Sequence, residues 1–532
     1  MTDAAVLDRK EAVAADQPPL SRYGILPLAL VAVVFALAFQ QSPLYTLNQN
    51  AAFLRGLAKG GLGFLSADWE VQRQEALPSF TWLVTATYRA HFENAFYLYY
   101  LPLLAIYAYA LSELVRRLVG LRRYSAPHLL FLATFLALHC SLAFELASPF
   151  GRASRLLHPE GPLLAGLGGM YALGSYFQPS CFGVLLFLSM LCFVENRPMI
   201  AAAVAALTAT IHPTFGLSAA FLIATYSAII LLRDRNLARA LWVGVCGAVL
   251  MLPIAVYVLN TFGPSSKELW AQATYILAFV RIPHHARPAV WFGYKAAAQC
   301  LVMVGAVWLL RRDVRGLLLA IPLGLSLCLT AMAAIVDKPW FSLMFPWRIT
   351  AFLLPLSTCV ILAWLAAWLA SRLQRTSWFR PASVAVTAVV VAWLAIVGVA
   401  QVWRLVRSTP RVPSDAALAF ARQTARKGDV YVIPIDLEEF RLATGVPIVA
   451  DWKTAPTQDT DLLEWYSRIE RIKRFYAEHG AGACRHLSEL QTAYAVTHVL
   501  LPAPAELSCA FARLVFRDRA FTVYALTPSF AD

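Results

Sequence analysis

A polar segment between the first two apolar runs contains two acidic residues, Asp68 and Glu70, on either side of Trp69. Side chains at positions i and i+2 face the same way when the backbone is extended. Carboxylates near a membrane surface can act as a general base or hold a divalent cation such as Mg²⁺ or Mn²⁺. The pair therefore predicts catalytic residues that are also the candidate metal ligands. The alternative is a solvated loop in which Trp69 anchors at the membrane interface.

A second candidate site is the segment 281–288, RIPHHARP, where two prolines lie among four potentially cationic side chains. Arginine offers a planar fork of N–H donors, and histidine adds donors whose charge follows pH. The segment predicts that His284, His285 and Arg287 bind a phosphate or pyrophosphate, with Lys295 just beyond as a secondary candidate. Nonspecific attraction to anionic lipid headgroups is the alternative.

Three further residues are candidates because of where they lie relative to apolar runs. Arg348 opens an apolar run, so its desolvation calls for an anionic partner, either an acidic side chain or a lipid phosphate. Lys338 lies in the polar segment just before it and is a secondary candidate. His212 ends a short apolar run before Pro213, and it is either a functional group or a satisfied polar side chain.

The composition identifies the elements that must position these residues. The chain has 532 residues, of which 59% are hydrophobic and 14% charged, whereas soluble domains carry about 25% charged residues. A hydrocarbon layer of about 30 Å requires roughly 17 to 25 apolar residues per crossing. We predict eleven crossings: 23–40, 96–118, 126–147, 163–194, 198–211, 214–232, 237–259, 291–310, 317–335, 349–371 and 383–403.

Two of the eleven runs predict interrupted helices. The run 163–194 is too long for one crossing and contains four glycines within 163–174 as well as Pro179. Irregular backbone at membrane depth is tolerated only where it faces protein or water, so we expect a broken helix. The run 198–211 is short, and Pro213 should stop its helix in or near the membrane.

The charge distribution predicts the topology. The first 407 residues hold 31 basic and 16 acidic residues, whereas the remainder holds 14 and 15. Arginines cluster in the connections that lie inside if the N-terminus is cytoplasmic, as the positive-inside rule requires. Because basic residues follow span ends, a nucleic-acid partner is not expected. The expected organisation is a cytoplasmic tail at 1–22, a membrane domain at 23–407 with a long outer loop at 41–95, and an extracytoplasmic domain at 408–532.

The C-terminal region predicts a small α/β domain. Charged helical patterns alternate there with short β-rich runs. The expected helices are 415–426, 461–478 and 487–495, and the expected strands are 429–435, 497–501 and 520–526. Cys484 and Cys509 both fall in this domain, and they could form a disulfide if the compartment is oxidising.

Several strings resemble an uncharacterised bacterial branch of the GT-C superfamily of polytopic glycosyltransferases: NQNAAFLRGLAKGGLGFLSADWE, YFQPS, IHPTFGLSAAF, RIPHHARP, FPWRI and FRLATGVPIVADWKTAP. The first-loop acid and the layout of spans are the diagnostic features. The resemblance implies transfer of a sugar from a polyprenyl-phosphate or diphosphate carrier to a glycan, lipid or protein acceptor. It also implies a multi-pass protein of the bacterial inner membrane whose site and C-terminal domain face the periplasm.

Carried onto this sequence, the resemblance assigns the acidic role to Asp68, with Glu70 in the second place of the motif. Arg287, Arg348, His284 and His285 would hold the carrier phosphate by similarity of role. Many relatives have two adjacent acids or Asp-x-Asp, so this departure puts metal dependence in question.

Two other classes of function stay open at this point. A lipid-linked substrate flippase or transporter would show repeated halves with paired broken helices, and the two halves here do not match. A noncatalytic subunit of envelope-polysaccharide assembly would share the fold without the activity. The sequence has no Walker loop, GxGxxG or HExxH, so ATP hydrolysis and dinucleotide chemistry have no motif.

Overall fold

The computed structural model describes residues 22–39, 41–140, 161, 163–373, 376–407 and 416–527. Its apolar α-helices are Arg22–Ala38, Ala95–Val119, Ala126–His139, Leu185–Val194, Pro198–Ile211, Gly216–Asp234, Leu237–Thr261, Tyr294–Leu310, Leu317–Val336, Thr350–Leu373 and Phe379–Arg407. Six of these segments are long and apolar enough to cross a membrane, and the other five are shorter. Each overlaps one of the eleven predicted runs, so the chain is a polytopic helical bundle. The N-terminal tail up to residue 21, the end of the predicted run 126–147 from residue 141, and most of the connection 148–162 lie outside the described residues.

The helices differ in how much of their apolar surface the bundle covers. The Thr350–Leu373 helix is central, with Phe352, Leu353 and Leu354 almost fully buried. The Leu237–Thr261 helix packs on two neighbours but leaves Trp242 66% exposed. A helix that is apolar all round is stable only when protein or lipid covers it. The exposed side of the Leu237–Thr261 helix is therefore the surface that lipid covers.

Both predicted interruptions are present. After residue 163 the chain forms two 3₁₀ segments, Leu167–Gly169 and Pro179–Val184, before the α-helix begins at Leu185. Gly166 packs so closely on the Ala351 backbone that a Cβ would lie 2.4 Å from its nitrogen. The helix that ends at Ile211 gives way to a 3₁₀ turn, Pro213–Phe215. At these two positions irregular backbone therefore replaces continuous α-helix.

Two long loops, 41–95 and 260–290, are largely helical, and they are called the first and second outer loops after the topology that the sequence predicts. The first contains the α-helices Gln49–Ala52, Leu54–Gly60 and Pro78–Arg89 and the 3₁₀ turn Leu65–Ala67. The second contains the α-helix Lys267–Tyr275, a π-helical segment Ile276–Arg281, and single turns at Pro283–Ala286 and Pro288–Trp291. Further single turns, Val314–Gly316, Pro339–Ser342 and Pro346–Ile349, precede later spans. The Pro78–Arg89 helix was not predicted from the sequence.

The C-terminal region is an α/β unit with a four-stranded sheet in the order β1-β2-β4-β3. The strands are β1 Tyr431–Val432, β2 His498–Pro502, β3 Ala512–Arg517 and β4 Phe521–Leu526, and only the β1–β2 pair is parallel. The helices are Ala416–Thr424, Phe440–Thr444, Asp459–Ala477 and Gly480–Tyr494. The sequence missed β3 and the short Phe440–Thr444 helix. The predicted domain boundary at 407–408 adjoins residues 408–415, which lie outside the described residues.

The C-terminal unit has its own hydrophobic core and a cross-link. Trp465, Ile469 and Leu487 pack together away from the membrane bundle. Cys484 and Cys509 form a disulfide with a Cα separation of 5.4 Å, as the sequence allowed. Ala273 of the second outer loop packs into the same core, so the C-terminal unit is docked on the outer loops.

Candidate active site

A cavity of about 430 Å³ lies where the outer loops meet the C-terminal unit. Five stretches of chain line it: the first outer loop, residues 178–180 of the interrupted run 163–194, His212, the second outer loop, and the segment 453–457. The polar lining residues are Asn48, Arg55, Glu70, Glu75, Thr81, Gln178, Ser180, His212, Arg281, His284, His285, Lys453, Thr454 and Thr457. This mixture of fixed charges and neutral hydrogen-bonding groups suits a polar ligand that carries negative charge.

Glu70 is the enclosed carboxylate of this cavity. The residue is 5% exposed, and its Oε1 accepts a hydrogen bond from Arg55 Nη2 at 3.0 Å. Its Oε2 is buried with no hydrogen-bond partner among the described residues. Burial raises the pKa of Glu70 from 4.5 to about 7, although Arg55 and Arg441 favour the ionised form. A carboxylate with a free oxygen and a pKa near neutrality is suited to act as a general base.

Asp68 occupies a different environment, although it is only two residues away. It is fully buried and does not line the cavity. Its Oδ1 accepts the Glu70 N–H at 2.9 Å, and its Oδ2 accepts Arg441 Nε at 2.8 Å and the Ile448 N–H at 3.1 Å. With both oxygens engaged, Asp68 has no free oxygen for substrate.

The acidic pair does not fit a divalent cation. Backbone and guanidinium N–H groups occupy the oxygens of Asp68, and Arg55 faces Glu70. The described residues contain no cluster of three or more potential metal ligands. A cation would have to displace Arg441 from Asp68 and Arg55 from Glu70, so the pair is poorly suited to bind one.

His284 and His285 line the cavity together, with ring centroids 4.2 Å apart. His285 Nδ1 lies 2.6 Å from the carbonyl oxygen of Gly168, and because a carbonyl only accepts, Nδ1 carries the proton. Burial lowers the pKa of both histidines, and neighbouring Arg281 acts in the same direction. His285 therefore presents Nε2 as an acceptor, which becomes a donor once it is protonated.

Arg348 lies next to the cavity rather than in its lining. Its guanidinium carbon is 4.6 Å from the centroid of the Phe215 ring, which also contacts the His212 ring. Its Nε is buried with no hydrogen-bond partner, and none of the described carboxylates forms an ion pair with it. The adjacent Trp347 donates from Nε1 to the His285 carbonyl at 3.1 Å. The structure thus brings Arg348 close to His212 and His285.

Three predicted residues lie elsewhere. Arg287 lies against the Phe279 ring, with its guanidinium carbon 4.1 Å from the centroid, and it is 3.8 Å from Asp337. Lys295 and Lys338 are exposed and do not line the cavity. The predicted site residues therefore differ in position. Glu70, His212, His284 and His285 line the cavity, and Arg348 lies next to it. Arg287, Lys295 and Lys338 do not line the cavity.

The sequence did not single out Arg441 and Asp451, and it noted Arg281 only as one of the four cationic side chains of the segment 281–288. Arg441 and Asp451 form a buried ion pair at 2.6 Å behind the cavity wall. Arg281 donates to the Lys453 carbonyl at 3.2 Å and lies over Trp452. The only signal for Arg441 and Asp451 was their position as charges within the apolar string FRLATGVPIVAD.

Comparisons with known proteins give little functional information. Residues 413–472 match a family described as Domain of unknown function (DUF6798), and this range contains Arg441, Asp451 and the cavity segment 453–457. No curated protein matches the chain. Among solved structures, it is similar to the crystal structure of ArnT from Cupriavidus metallidurans bound to undecaprenyl phosphate. That match has 13% identity and a TM-score of 0.40 and covers 96% of this chain and 98% of that chain. A likeness this weak says nothing of what the present chain does.

Proposed function

We propose that this protein is an integral-membrane glycosyltransferase that transfers a sugar from a polyprenyl-phosphate or diphosphate carrier to an acceptor on the non-cytoplasmic face. One observation carries the proposal: the buried Glu70, with a pKa of about 7, shares a cavity with His284 and His285, next to Arg348, whose Nε has no hydrogen-bond partner among the described residues. A base and a phosphate-binding cation are the two groups that such a transfer needs. The GT-C resemblance of the sequence supports the same reaction.

The proposed roles follow from the charge that the reaction moves. An acceptor hydroxyl attacks the anomeric carbon of the sugar, and its proton passes to Glu70. The bond between that carbon and the phosphate oxygen breaks, and the electron pair leaves with the carrier phosphate. Arg348 stabilises the charge that grows on the phosphate.

The position of the cavity suits a lipid-linked donor. A polyprenyl chain cannot leave the bilayer, because each buried CH₂ contributes about 0.8 kcal/mol. Arg348 lies immediately before the Thr350–Leu373 span, next to the broken helix. A carrier phosphate at Arg348 would keep its lipid tail between spans while the sugar enters the cavity toward Glu70.

The expected orientation rests on two observations. Arginines concentrate in the connections opposite the cavity, and Cys484 and Cys509 are cross-linked, as expected for an oxidising compartment. Both support a cavity that opens to the non-cytoplasmic side. Labelling of an engineered cysteine at exposed Lys295 with an impermeant reagent in intact cells tests this orientation.

The activity can be tested with full-length protein in nanodiscs and a panel of polyprenyl-phosphate sugars. We expect release of free polyprenyl phosphate, which mass spectrometry detects, and we expect Glu70→Gln to bind carrier without releasing it. Arg73→Lys, at a first-loop residue outside the cavity, is the matched control. Movement of intact donor across a bilayer without bond cleavage would instead indicate a flippase. Carrier binding without release by the wild type, across the panel and with cell-envelope acceptors present, would indicate a noncatalytic subunit.

A further inference from the structure

The first outer loop and the C-terminal unit are joined by the buried side chain of Arg441. This residue is 2% exposed, and its Nε donates to Asp68 Oδ2 at 2.8 Å. Its Nη1 donates to Asp451 Oδ2 at 2.6 Å and to Thr454 Oγ1 at 2.7 Å. One guanidinium therefore binds two carboxylates, of which one belongs to the membrane domain and the other to the C-terminal unit.

Each of the two carboxylates also holds one wall of the cavity. Asp68 Oδ1 accepts the backbone N–H of Glu70 at 2.9 Å. Asp451 Oδ1 accepts the backbone N–H of Thr454 at 2.7 Å and its hydroxyl at 2.8 Å. Glu70 and Thr454 both line the cavity. The chain of contacts thus runs from the base through Asp68, Arg441 and Asp451 to the opposite wall.

Backbone contacts fix the same junction. The Phe64 N–H donates to the Gly445 carbonyl at 2.8 Å, and the Ile448 N–H donates to Asp68. Gly63 has φ +52°, and a Cβ there would lie 2.4 Å from the Gly445 oxygen. Only a glycine allows the two backbones to approach this closely. The loop that carries Glu70 is therefore seated on the segment that carries Arg441.

We infer that Arg441 is a positioning residue that fixes Glu70 relative to the 453–457 wall, so that the C-terminal unit completes the active site. The inference rests on the transferase proposed above. Arginine is suited to this task because its rigid fork can bind two carboxylates at once, whereas lysine is a single point charge. The base must be held within a fraction of an ångström for efficient proton transfer.

The same contact affects the charge of Glu70. Burial raises the pKa of Glu70, Arg55 and Arg441 lower it, and Asp68 raises it. The other titratable groups of the cavity are Glu75, Arg281, Lys453 and the three histidines. Weakening the Arg441 contact should therefore move the pH profile of transfer to higher pH, an effect that a purely structural role would not produce.

Hydrogen exchange of the full-length protein in nanodiscs tests the inference without any substrate. In Arg441→Lys we expect about tenfold or faster exchange in peptides 64–75 and 451–457, because charged hydrogen bonds to both walls are lost. Arg73→Lys is the matched control, since the Arg73–Asp461 pair joins the same loop to the same unit outside the cavity. Wild-type exchange in both peptides of a folded Arg441→Lys protein would overturn the inference.

A second variant decides the matter if Arg441→Lys does not fold. Asp451→Asn leaves Arg441 neutralised by Asp68, and we expect about tenfold faster exchange in peptide 451–457 together with a lower kcat. Unchanged exchange and kcat would reject the positioning role. If the variants speed exchange as expected but the wild type shows no transfer activity, only the proposed function is refuted. Transfer that is unaffected in both variants would refute the role of Arg441 alone.

Discussion

Two arginines near the cavity differ in their partners. Arg441 is fully buried, and two carboxylates and a threonine hydroxyl bind it. Arg348 is partly exposed, lies on the face of Phe215, and has no carboxylate partner among the described residues. A buried cation is stable only when its charge is matched. The comparison shows that the protein's own carboxylates pair Arg441, whereas the described residues supply no carboxylate to Arg348.

The largest effect should follow from removing the satisfied arginine. Arg441→Met leaves Asp68 and Asp451 buried without a counter-charge, which costs about 3 to 5 kcal/mol. We expect a markedly lower thermal unfolding temperature in detergent or nanodiscs. The triple change that also includes Asp68→Asn and Asp451→Asn removes all three charges and should recover most of this loss. A fully stable Arg441→Met protein would show that the contact is unimportant.

The next largest effect should be a lower rate of sugar transfer when Glu70, whose position Arg441 is inferred to fix, is changed. Glu70→Gln removes the base, and loss of a general base typically costs about 10²-fold or more. Because burial raises the pKa of Glu70 to about 7, wild-type kcat/KM should rise as pH increases through 7. Release assays between pH 5.5 and 8.5 measure this profile. A profile that falls over this range would exclude Glu70 as the base.

The raised pKa of Glu70 also affects stability: the rate of transfer should rise with pH, whereas the stability of the folded protein should fall. The folded protein binds the Glu70 proton more tightly than the unfolded chain, so its stability decreases as pH rises from about 4.5 to 7. Glu70→Gln does not ionise, so this variant should be more stable than the wild type at pH 8 and similar to it at pH 4.5. Thermal unfolding at both pH values measures the difference. A variant that is less stable at pH 8 would show that the Glu70 carboxylate contributes favourably.

A smaller effect is expected at Arg348, and only when ligand is present. Arg348→Gln should weaken polyprenyl-phosphate binding by about 10- to 100-fold, since a charge-assisted hydrogen bond contributes roughly 1.5 to 3 kcal/mol. Without ligand the variant should be at least as stable as the wild type. Native mass spectrometry measures the first expectation and thermal unfolding the second. Strong destabilisation of the free protein would mean that Arg348 is structural like Arg441.

The smallest effect is expected at Arg287, which the sequence placed with the phosphate ligands. Its contacts with Phe279 and with Asp337 lie outside the cavity lining. Arg287→Gln should change carrier affinity by less than about threefold, as is usual for a partly exposed ion pair. Binding measured in parallel with Arg348→Gln provides the comparison. Equal losses of carrier affinity in the two variants would indicate that Arg287 does bind the carrier phosphate.

The sequence predicted the fold more fully than the site, for a physical reason. Membrane spans depend on local composition, so each apolar run could be recognised by itself. The sequence also placed His284, His285 and Glu70 on the same predicted face of the membrane, because all lie in loops predicted to face outward. The pairing of Asp68 with Arg441 joins residues 373 positions apart, and no local pattern records such a contact. The sequence therefore marked the acidic pair but not the different environments of Asp68 and Glu70.

The most direct test of the central claim is a cryo-electron microscopy structure of the full-length protein in nanodiscs with polyprenyl phosphate bound. We expect a phosphate oxygen about 2.7 to 2.9 Å from the Arg348 guanidinium, near His285, with the lipid tail between spans and the open side of the phosphate toward Glu70. The Arg441 contacts should be unchanged. A phosphate bound at Arg287, or anywhere that separates it from Arg348 and Glu70, would contradict the account.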